Sequence, residues 1–328
     1  MTKVRVMSGK RVSGRLHLGH YWGAIRNWIA LQDQYECYFG VMDLHGLTSE
    51  YKIAGQVNLW SRELFAEYIA LGIDPNKSTL FIQSHIPEHV ELFLFLANMT
   101  PMGWLERVPT WKDAEQEAKQ TDTHNLGRFA YPVLQTADIA MYFGQKVPVG
   151  SDQVSHLEIS REIIRRFNSL FKGKIPEPEA LLTDTPLLPG LDGKKMSSSK
   201  GNAIDLIEDS EKSLKKKVNL MMTDPARVRR DDPGDPLKCP VFSFHKLYST
   251  EDDLKWAADG CRSAGIGCGD CKQRLFENIE KVTCGPRERK KELLNNTQEL
   301  DSIIAVGCDR AREVAKKNLK IIKSWMKF

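Results

Sequence analysis

The sequence predicts an α/β protein with two domains, a parallel sheet covered by helices and then a mostly helical part. Three observations lead to this class. Short apolar runs of strand length alternate with longer amphipathic runs in the first half of the chain, which favours a parallel sheet with helices on both faces. Strand-like runs fade after residue 205, and helical periodicity replaces them. The length of 328 residues is enough for roughly two domains.

Four runs have the length and composition of buried strands. Each run is apolar and closes on a small or turn-forming residue. They cover residues 4–9, 37–43, 79–84 and 146–150. Because ligands of parallel sheets bind outside the carboxyl ends of the strands, we expect the chemistry directly after these runs.

Helical periodicity covers residues 20–34 and 57–71, and the second run stops before Gly72, as helices often do. Beyond the last strand, helix-like runs follow Thr250, Cys271 and Asn296. We therefore place one domain at residues 1–205 and a helical one at residues 206–328. The last helix of the second domain is able to pack back on the first.

Charge and hydropathy limit the classes of function. The formal net charge is only +4, but basic segments lie at residues 212–219, 226–230 and 286–291. Such local basic surface is typical of nucleic-acid-binding proteins, with solvated helix faces as the alternative. No run approaches the ~20 apolar residues of a membrane helix, and the N-terminus lacks the apolar core of a secretory signal. We expect a cytoplasmic protein without a membrane partner.

The stretch "SGKRVSGRLHLGHYWGA" follows the first predicted strand. Its Gly9 and Gly14 fit a sharp turn, and His17, Gly19 and His20 then open a helix. Glycine at this place allows an adenine ring to approach the backbone. The two imidazoles share a helix face and are able to donate hydrogen bonds to phosphate oxygens, aided by the helix N-terminus. Two histidines without a functional role are the alternative.

A second stretch, "GKKMSSSKGN", begins at Gly193. Its Lys194, Lys195 and Lys200 stand among small, turn-forming residues, as a loop that reaches over a phosphate chain requires. Taken alone, a solvated loop is the alternative. In this order, the two stretches resemble the HIGH and KMSKS signatures of class I aminoacyl-tRNA synthetases, matched here by "HLGH" and "KMSSS".

Further blocks narrow the resemblance to the bacterial tryptophanyl-tRNA synthetases. The blocks "VMDLHGLT", "LERVPTWK", "YPVLQTADI", "VPVGSDQVSHLEISREIIRRFN" and "MMTDPARVRRDDPG" follow one another as in that family. The similarity runs from about residue 4 to the C-terminus. Tyrosyl-tRNA synthetases share a Gly-x-Asp-Gln block, but we expect them to lack "HLEISREIIRRFN".

The resemblance implies a Rossmann-like catalytic domain, an anticodon-binding helical domain and a tryptophan–tRNA ligase activity. Tryptophan and ATP with Mg²⁺ would give tryptophanyl-adenylate and pyrophosphate, and tryptophan would then pass to the 3′ end of tRNA(Trp). The catalytic residues implied are His17, His20 and Lys195. The residues implied to bind ATP are Arg11, Val12, Ser13, Gly19, His20, Lys112, Gly150, Ser151, Asp152, Gln153, Leu187, Lys195, Met196, Ser197, Ser198 and Ser199.

Two positions depart from the pattern of the family. Many members have glutamine where this chain has Arg11. The loop of the family has lysine where this chain has Ser198, so one charged contact to the pyrophosphate is missing unless Lys200 replaces it. Lys195 is therefore the principal lysine assigned to this loop.

The residues that the resemblance assigns to tryptophan are Met7, His45, Tyr131, Gln135 and Asp138. Asp138 lies in the apolar run "QTADIAMYF", where an unpaired carboxylate would be costly, so a donor must meet it. The indole N–H is one candidate. A nearby lysine or arginine is the alternative.

Four of the seven cysteines fall within 33 residues, as Cys239, Cys261, Cys268 and Cys271. In a reducing compartment such spacing indicates metal binding or redox chemistry, and four thiols fit zinc or a four-iron cluster. A subset of bacterial tryptophanyl-tRNA synthetases has cysteines at almost the same spacing, and this resemblance implies a [4Fe–4S] cluster beside the anticodon-binding surface. We assign the remaining cysteines, Cys37, Cys284 and Cys308, to packing.

The resemblance also implies a symmetric homodimer. The apolar stretch at residues 91–108 would supply part of a shared face, although a buried core helix explains it equally well. Two other functions compete with the ligase: a small-molecule adenylyltransferase, and a nucleic-acid-binding protein stapled by the cysteines. An adenylyltransferase would not be expected to have both the helical domain and the "KMSSS" loop. A nucleic-acid-binding role leaves the first 200 residues unexplained.

Overall fold

A computed structural model describes residues 3–108, 111, 124–150, 154–182, 188–194, 196, 201–207 and 210–328. The chain forms two compact units. The first unit comprises Met1–Gly14, Ala24–Asp184 and Asn296–Phe328, and the second comprises Arg15–Gly23 and Thr185–Asn295. The functional division at residue 205 stays a prediction.

The first unit is built on a five-stranded parallel sheet with the order β3-β2-β1-β4-β5. The strands are β1 (Arg5–Arg11), β2 (Glu36–Met42), β3 (Thr79–Ile82), β4 (Lys146–Val149) and β5 (Glu179–Leu182). The Rossmann-like α/β class predicted from the sequence is confirmed, and the four predicted strands are β1 to β4. Strand β5 was not predicted, because this edge strand has only four residues, is partly exposed and carries an apolar run of only three residues.

Helices flank the sheet, as the alternation of runs predicts. The helix α1 (Leu18–His20) belongs to the second unit. The helices of the first unit that precede its last one are α2 (Arg26–Leu31), α3 (Asp43–Glu50), α4 (Ala54–Ala70), α5 (Glu88–Met99), α6 (Met102–Leu105), α7 (Leu126–Phe129), α8 (Tyr131–Met141) and α9 (Val154–Phe171). The predicted helix at residues 20–34 is interrupted, since a π-helical turn at Tyr21–Ile25 separates α1 from α2. Helix α2 packs into the core, because the buried ring of Trp28 stacks on Phe39 of β2 at 4.8 Å between centroids.

The second unit is helical in the residues that the structure describes. Its helices beyond α1 are α10 (Glu211–Leu220), α11 (Pro240–Tyr248), α12 (Glu251–Arg262) and α13 (Cys268–Asn295). Side chains cap two of them, because Ser210 accepts from the Ser213 N–H and Thr250 accepts from the Asp253 N–H, both at 3.2 Å. No helix of the described chain is both long enough and apolar enough to span a membrane.

The last helix, α14 (Thr297–Met326), belongs to the first unit and packs on β3. A Cβ on Gly307 would lie 2.0 Å from the carbonyl oxygen of Leu80, so only glycine allows this approach. Further along the helix, Arg312 donates to the buried carboxylate of Glu88 (3.1 Å). These contacts fix the C-terminal helix to the sheet that carries the site described below.

Candidate active site

The first motif of the sequence begins at the carboxyl end of β1, where the strand order reverses between β1 and β4. Parallel sheets of this type bind ligands at such a reversal. Arg11 is the last residue of β1, and its guanidinium donates to Ser49 Oγ (3.4 Å). Val12 and Ser13 follow β1 directly, and Gly150 follows β4.

The turn after β1 is held by α3. The N–H of the buried Val12 donates to the Met42 carbonyl (3.2 Å). A Cβ on Gly46 would lie 2.5 Å from the Val12 carbonyl oxygen, so a side chain at this position would push the turn away. The backbone after the strand is therefore held in one place.

Within the second unit, the first signature motif lies close to Met196, the described residue of "KMSSS". The rings of His17 and His20 stack at 3.5 Å between centroids, and the His17 N–H donates to His20 Nδ1 (3.1 Å). Met196 of "KMSSS" has its sulfur 3.8 Å from the position that a Cβ on Gly19 would take. The Leu18 N–H also donates to the carbonyl of Ile204 (3.0 Å), just after the loop. The structure thus brings together two motifs that are far apart in sequence.

The described ends of the lysine-serine loop are fixed by Asp192. Its carboxylate accepts from the Lys194 N–H (3.1 Å) and from Asn202 Nδ2 (2.7 Å). Gly193 and Gly201 have φ angles of 74° and 66°, which favour glycine. Nine of the predicted ATP-site residues lie outside the described residues, as does Lys200: Lys112, Ser151, Asp152, Gln153, Leu187, Lys195, Ser197, Ser198 and Ser199.

The predicted tryptophan residues lie in the first unit, and α8 contributes three of them. Tyr131, Gln135 and Asp138 share one helix face, since they are spaced by four and three residues. Pro132 favours the start of this helix at Tyr131. The Tyr131 ring packs edge-on against His45 of α3 at 4.6 Å between centroids.

Asp138 is buried, and three donors of the chain meet its carboxylate. His45 Nε2 donates to Oδ2 (2.8 Å), whereas His89 Nδ1 and Gln83 Nε2 both donate to Oδ1 (2.6 and 2.7 Å). These partners are two histidines and a glutamine rather than the lysine or arginine that the sequence analysis considered. Burial alone would raise the pKa of Asp138, but the hydrogen bonds from His45 and His89 lower this pKa from 3.8 to about 2.

Several acceptors of this pocket remain open. Among the described residues, Asp138 Oδ2 accepts only from His45, although a carboxylate oxygen can accept two hydrogen bonds. The buried atoms His45 Nδ1 and Gln135 Oε1 have no hydrogen-bond partner in the described chain. Met7, also assigned to the pocket, is buried in β1. Buried polar atoms of this kind call for a polar ligand.

The sequence analysis missed His89 and Gln83, and also Tyr142, whose hydroxyl lies 2.8 Å from His89 Nε2. His89 is an isolated histidine at the start of the otherwise apolar α5, and Gln83 follows β3. A polar residue directly after a strand was the available signal for Gln83. No local pattern links either residue to Asp138.

The four clustered cysteines come from the ends of three helices. Cys239 precedes α11, Cys261 lies in the last turn of α12, and Cys268 and Cys271 lie in the first turn of α13. All four are unbridged and half-buried. The backbone approaches closely here, because a Cβ on Gly234 would lie 2.7 Å from Cys261 Sγ.

The four thiols influence one another electrostatically. Burial raises the pKa of Cys271 to about 12, with a further contribution from the other three cysteines. Burial likewise raises the pKa of Cys261, partly opposed by the guanidinium of Arg227. In the described part of the chain, no three His, Cys, Asp or Glu side chains are arranged to hold a metal ion. The thiols are thus grouped without forming an assembled coordination shell.

Comparison with known proteins gives the same assignment along the whole chain. The family described as tRNA synthetases class I (W and Y) matches residues 1–283. A tryptophan–tRNA ligase of Thermotoga maritima is 44% identical over 325 residues, which cover 98% of this chain and 99% of that protein. Another from Ralstonia nicotianae is 40% identical over 392 residues, with 98% of each chain covered.

Solved structures extend this similarity to three dimensions. The tryptophanyl-tRNA synthetase of Campylobacter jejuni, complexed with ADP and tryptophan, has a TM-score of 0.90 and is 34% identical, covering 99% of this chain and 100% of that one. A tyrosyl-tRNA synthetase of Archaeoglobus fulgidus shares the fold, with a TM-score of 0.66 and 22% identity, covering 88% and 90% of the two chains.

Proposed function

The chain belongs to the tryptophan–tRNA ligases of the class I aminoacyl-tRNA synthetase family, and we propose how its residues divide the reaction. The enzyme activates L-tryptophan with ATP and then transfers tryptophan to tRNA. Phosphoryl chemistry of this kind leaves little covalent work for the protein, so positioning and charge stabilisation carry catalysis.

The Asp138 pocket binds tryptophan in this proposal. The free acceptor site of Asp138 Oδ2 takes the indole N–H, which phenylalanine lacks and tyrosine replaces by a phenol hydroxyl. The open Gln135 Oε1 accepts from the substrate ammonium. Met7 and Tyr131 form walls of the pocket. Support comes from the buried acceptors that have no partner in the described chain.

The two signature motifs bind ATP with its Mg²⁺. His17, His20 and Lys195 stabilise the negative charge that develops on the phosphate oxygens as tryptophan's carboxylate attacks the α-phosphate and pyrophosphate departs. The remaining ATP-site assignments follow the resemblance. The approach of Met196 to Gly19 supports a shared task for the two motifs.

The four cysteines hold a [4Fe–4S] cluster, with Zn²⁺ as the alternative, in the domain that binds the tRNA anticodon. The donor set fits in number and type, because four grouped thiols can lose their protons together to a metal. When bound, either centre would cross-link the ends of three helices. Anaerobically purified protein should be brown, absorb near 400 nm and contain about four irons per chain. Colourless protein with one zinc per chain would favour zinc.

A homodimer would cover the outer face of α5 and α6. These helices bury Leu92 and Leu96 inward but leave Val90, Leu94 and Met102 exposed by 48%, 56% and 66%. The stretch predicted as a shared face is thus a core helix with a second apolar side, which supports pairing of two chains. Sedimentation of the protein in solution would test whether two chains pair. The cytoplasmic location stays a prediction.

The observation that carries the amino-acid assignment is the buried Asp138 carboxylate, whose Oδ2 accepts a single hydrogen bond from the described residues. Amino-acid-dependent exchange of labelled pyrophosphate into ATP, run with each of the common amino acids, tests the assignment. Tryptophan alone should support exchange. Exchange supported by a different amino acid, or no exchange with any amino acid, would contradict the assignment.

A further inference from the structure

We propose that His89 is a positioning residue for amino-acid specificity, fixing the Asp138 carboxylate so that Oδ2 faces the substrate. This inference rests on the proposed role of Asp138 as the acceptor of the indole N–H. His89 lies on α5, whereas Asp138 lies on α8, so the contact is tertiary.

The division of donors between the two carboxylate oxygens gives the first reason. Oδ1 accepts from both His89 Nδ1 and Gln83 Nε2 and has no capacity left. Oδ2 accepts from His45 only among the described residues. If His89 did not donate, Oδ1 would also have an open acceptor site, and the carboxylate could rotate and offer either oxygen.

The second reason is that the His89 ring is itself fixed. The side chain is 0% exposed, and Nε2 pairs with the Tyr142 hydroxyl at 2.8 Å. Both ring nitrogens are therefore used within the protein, and neither is left for a ligand. Because the ionised carboxylate only accepts, Nδ1 must carry the hydrogen. His89 thus acts through Asp138 and not on tryptophan directly.

The third reason is electrostatic. A buried carboxylate tends to take up a proton, and a protonated Oδ2 would no longer be a dependable acceptor for the indole. Loss of the His89 hydrogen bond should therefore raise the pKa of Asp138. Other titratable groups around the cluster are His45, Tyr38, Tyr131, Tyr142, Glu88, Cys308 and Arg11.

The test compares tryptophan with benzothienylalanine, an analogue that has sulfur in place of the indole N–H. The kcat/KM ratio of the two in pyrophosphate exchange measures recognition of that N–H. The variants are His89→Leu, which removes the donor, and His89→Asn, whose amide can place an N–H near the position of Nδ1. Asp138→Ala reports on the acceptor, and His85→Leu is a matched control, because His85 is exposed nearby and makes no contact with Asp138.

We expect His89→Leu to lower the preference for tryptophan by about tenfold or more, and His89→Asn to recover part of it. As the pH is lowered, tryptophan binding should be lost at a higher pH in His89→Leu than in the unmodified enzyme. A purely structural role would not cause this shift. His85→Leu should change neither readout.

Two results separate the possible failures. If Asp138→Ala loses the preference but both His89 variants keep it, with an unchanged pH profile, the role of His89 is wrong. If Asp138→Ala also keeps the preference, the proposed role of Asp138 fails. Should His89→Leu not fold, His89→Asn decides alone, since an altered ratio or pH profile supports the inference and two unchanged readouts overturn it.

Discussion

The Asp138 cluster and the four-cysteine cluster both gather side chains that are far apart in sequence, but they differ in what completes them. Around Asp138, three donors of the chain balance one buried charge and keep the carboxylate ionised. Around Cys271, three thiols make a thiolate less favourable, although His245 Nε2 lies 3.4 Å from its sulfur and the guanidinium of Arg227 acts in the opposite direction. The donors of the chain thus favour the charged form of the first cluster, whereas the thiols of the second oppose one another's ionisation.

This difference follows from what each cluster must do. In its proposed role, the Asp138 cluster has to present its acceptor before tryptophan arrives, so the donors behind that acceptor are built into the core. A metal centre supplies the cation that its ligands need, so the protein only has to bring the thiols near one another. The two clusters should therefore respond differently when one member is removed.

The largest effect should come from Asp138→Ala in protein freed of metal. This change leaves His45, His89 and Gln83 as buried donors without an acceptor, which should cost about 3–5 kcal/mol of unfolding free energy. Cys261→Ser in the same metal-free protein should cost less than about 1 kcal/mol, because no coordination bond is lost. Urea titrations of both variants measure the two losses of unfolding free energy. Equal losses would show that the two clusters contribute to stability in the same way.

The next effect concerns the first signature motif, whose histidines are far in sequence from both clusters. His17→Ala or His20→Ala should lower kcat for pyrophosphate exchange by on the order of 10²-fold, with a smaller change in KM for ATP. The reason is that the imidazoles meet charge that develops only in the transition state. Unchanged turnover with a weakened KM would instead assign them to ATP binding.

The sheet and three residues of the proposed tryptophan site could be assigned from the sequence, but the residues that support Asp138 could not. Strands β1 to β4 are buried apolar runs, and Tyr131, Gln135 and Asp138 share one helix within a single block. Gln83 and His89 meet Asp138 from segments that carry no motif. Their approach depends on how α5 and β3 pack beside α8, and tertiary packing of this kind leaves no local periodicity.

The cysteines show the opposite relation, because their spacing indicates a metal site, whereas the described residues form no assembled one. Cys239, Cys268 and Cys271 lie at helix starts and Cys261 lies in a last helical turn, and the proposed coordination shell would depend on an ion in addition to these residues. The helices of the second unit are predictable, since the runs after Thr250 and Cys271 become α12 and most of α13.

A smaller effect distinguishes the cysteine cluster from the catalytic machinery. Cys268→Ser should lower tRNA charging by about tenfold while changing tryptophan-dependent pyrophosphate exchange much less, because the cluster is assigned to the anticodon side. Cys284→Ser is the control, since Cys284 is exposed and outside the group of four. If Cys268→Ser lowers charging and exchange equally, the cluster supports the whole enzyme and not tRNA binding.

The most direct test of the central claim, that Asp138 recognises tryptophan through its indole, is a crystal structure of this protein with tryptophan bound. We expect an indole nitrogen about 2.7–3.2 Å from Asp138 Oδ2, with His89 and Gln83 still donating to Oδ1. An indole nitrogen paired with another acceptor, or an Asp138 that remains out of contact with the ligand, would contradict it.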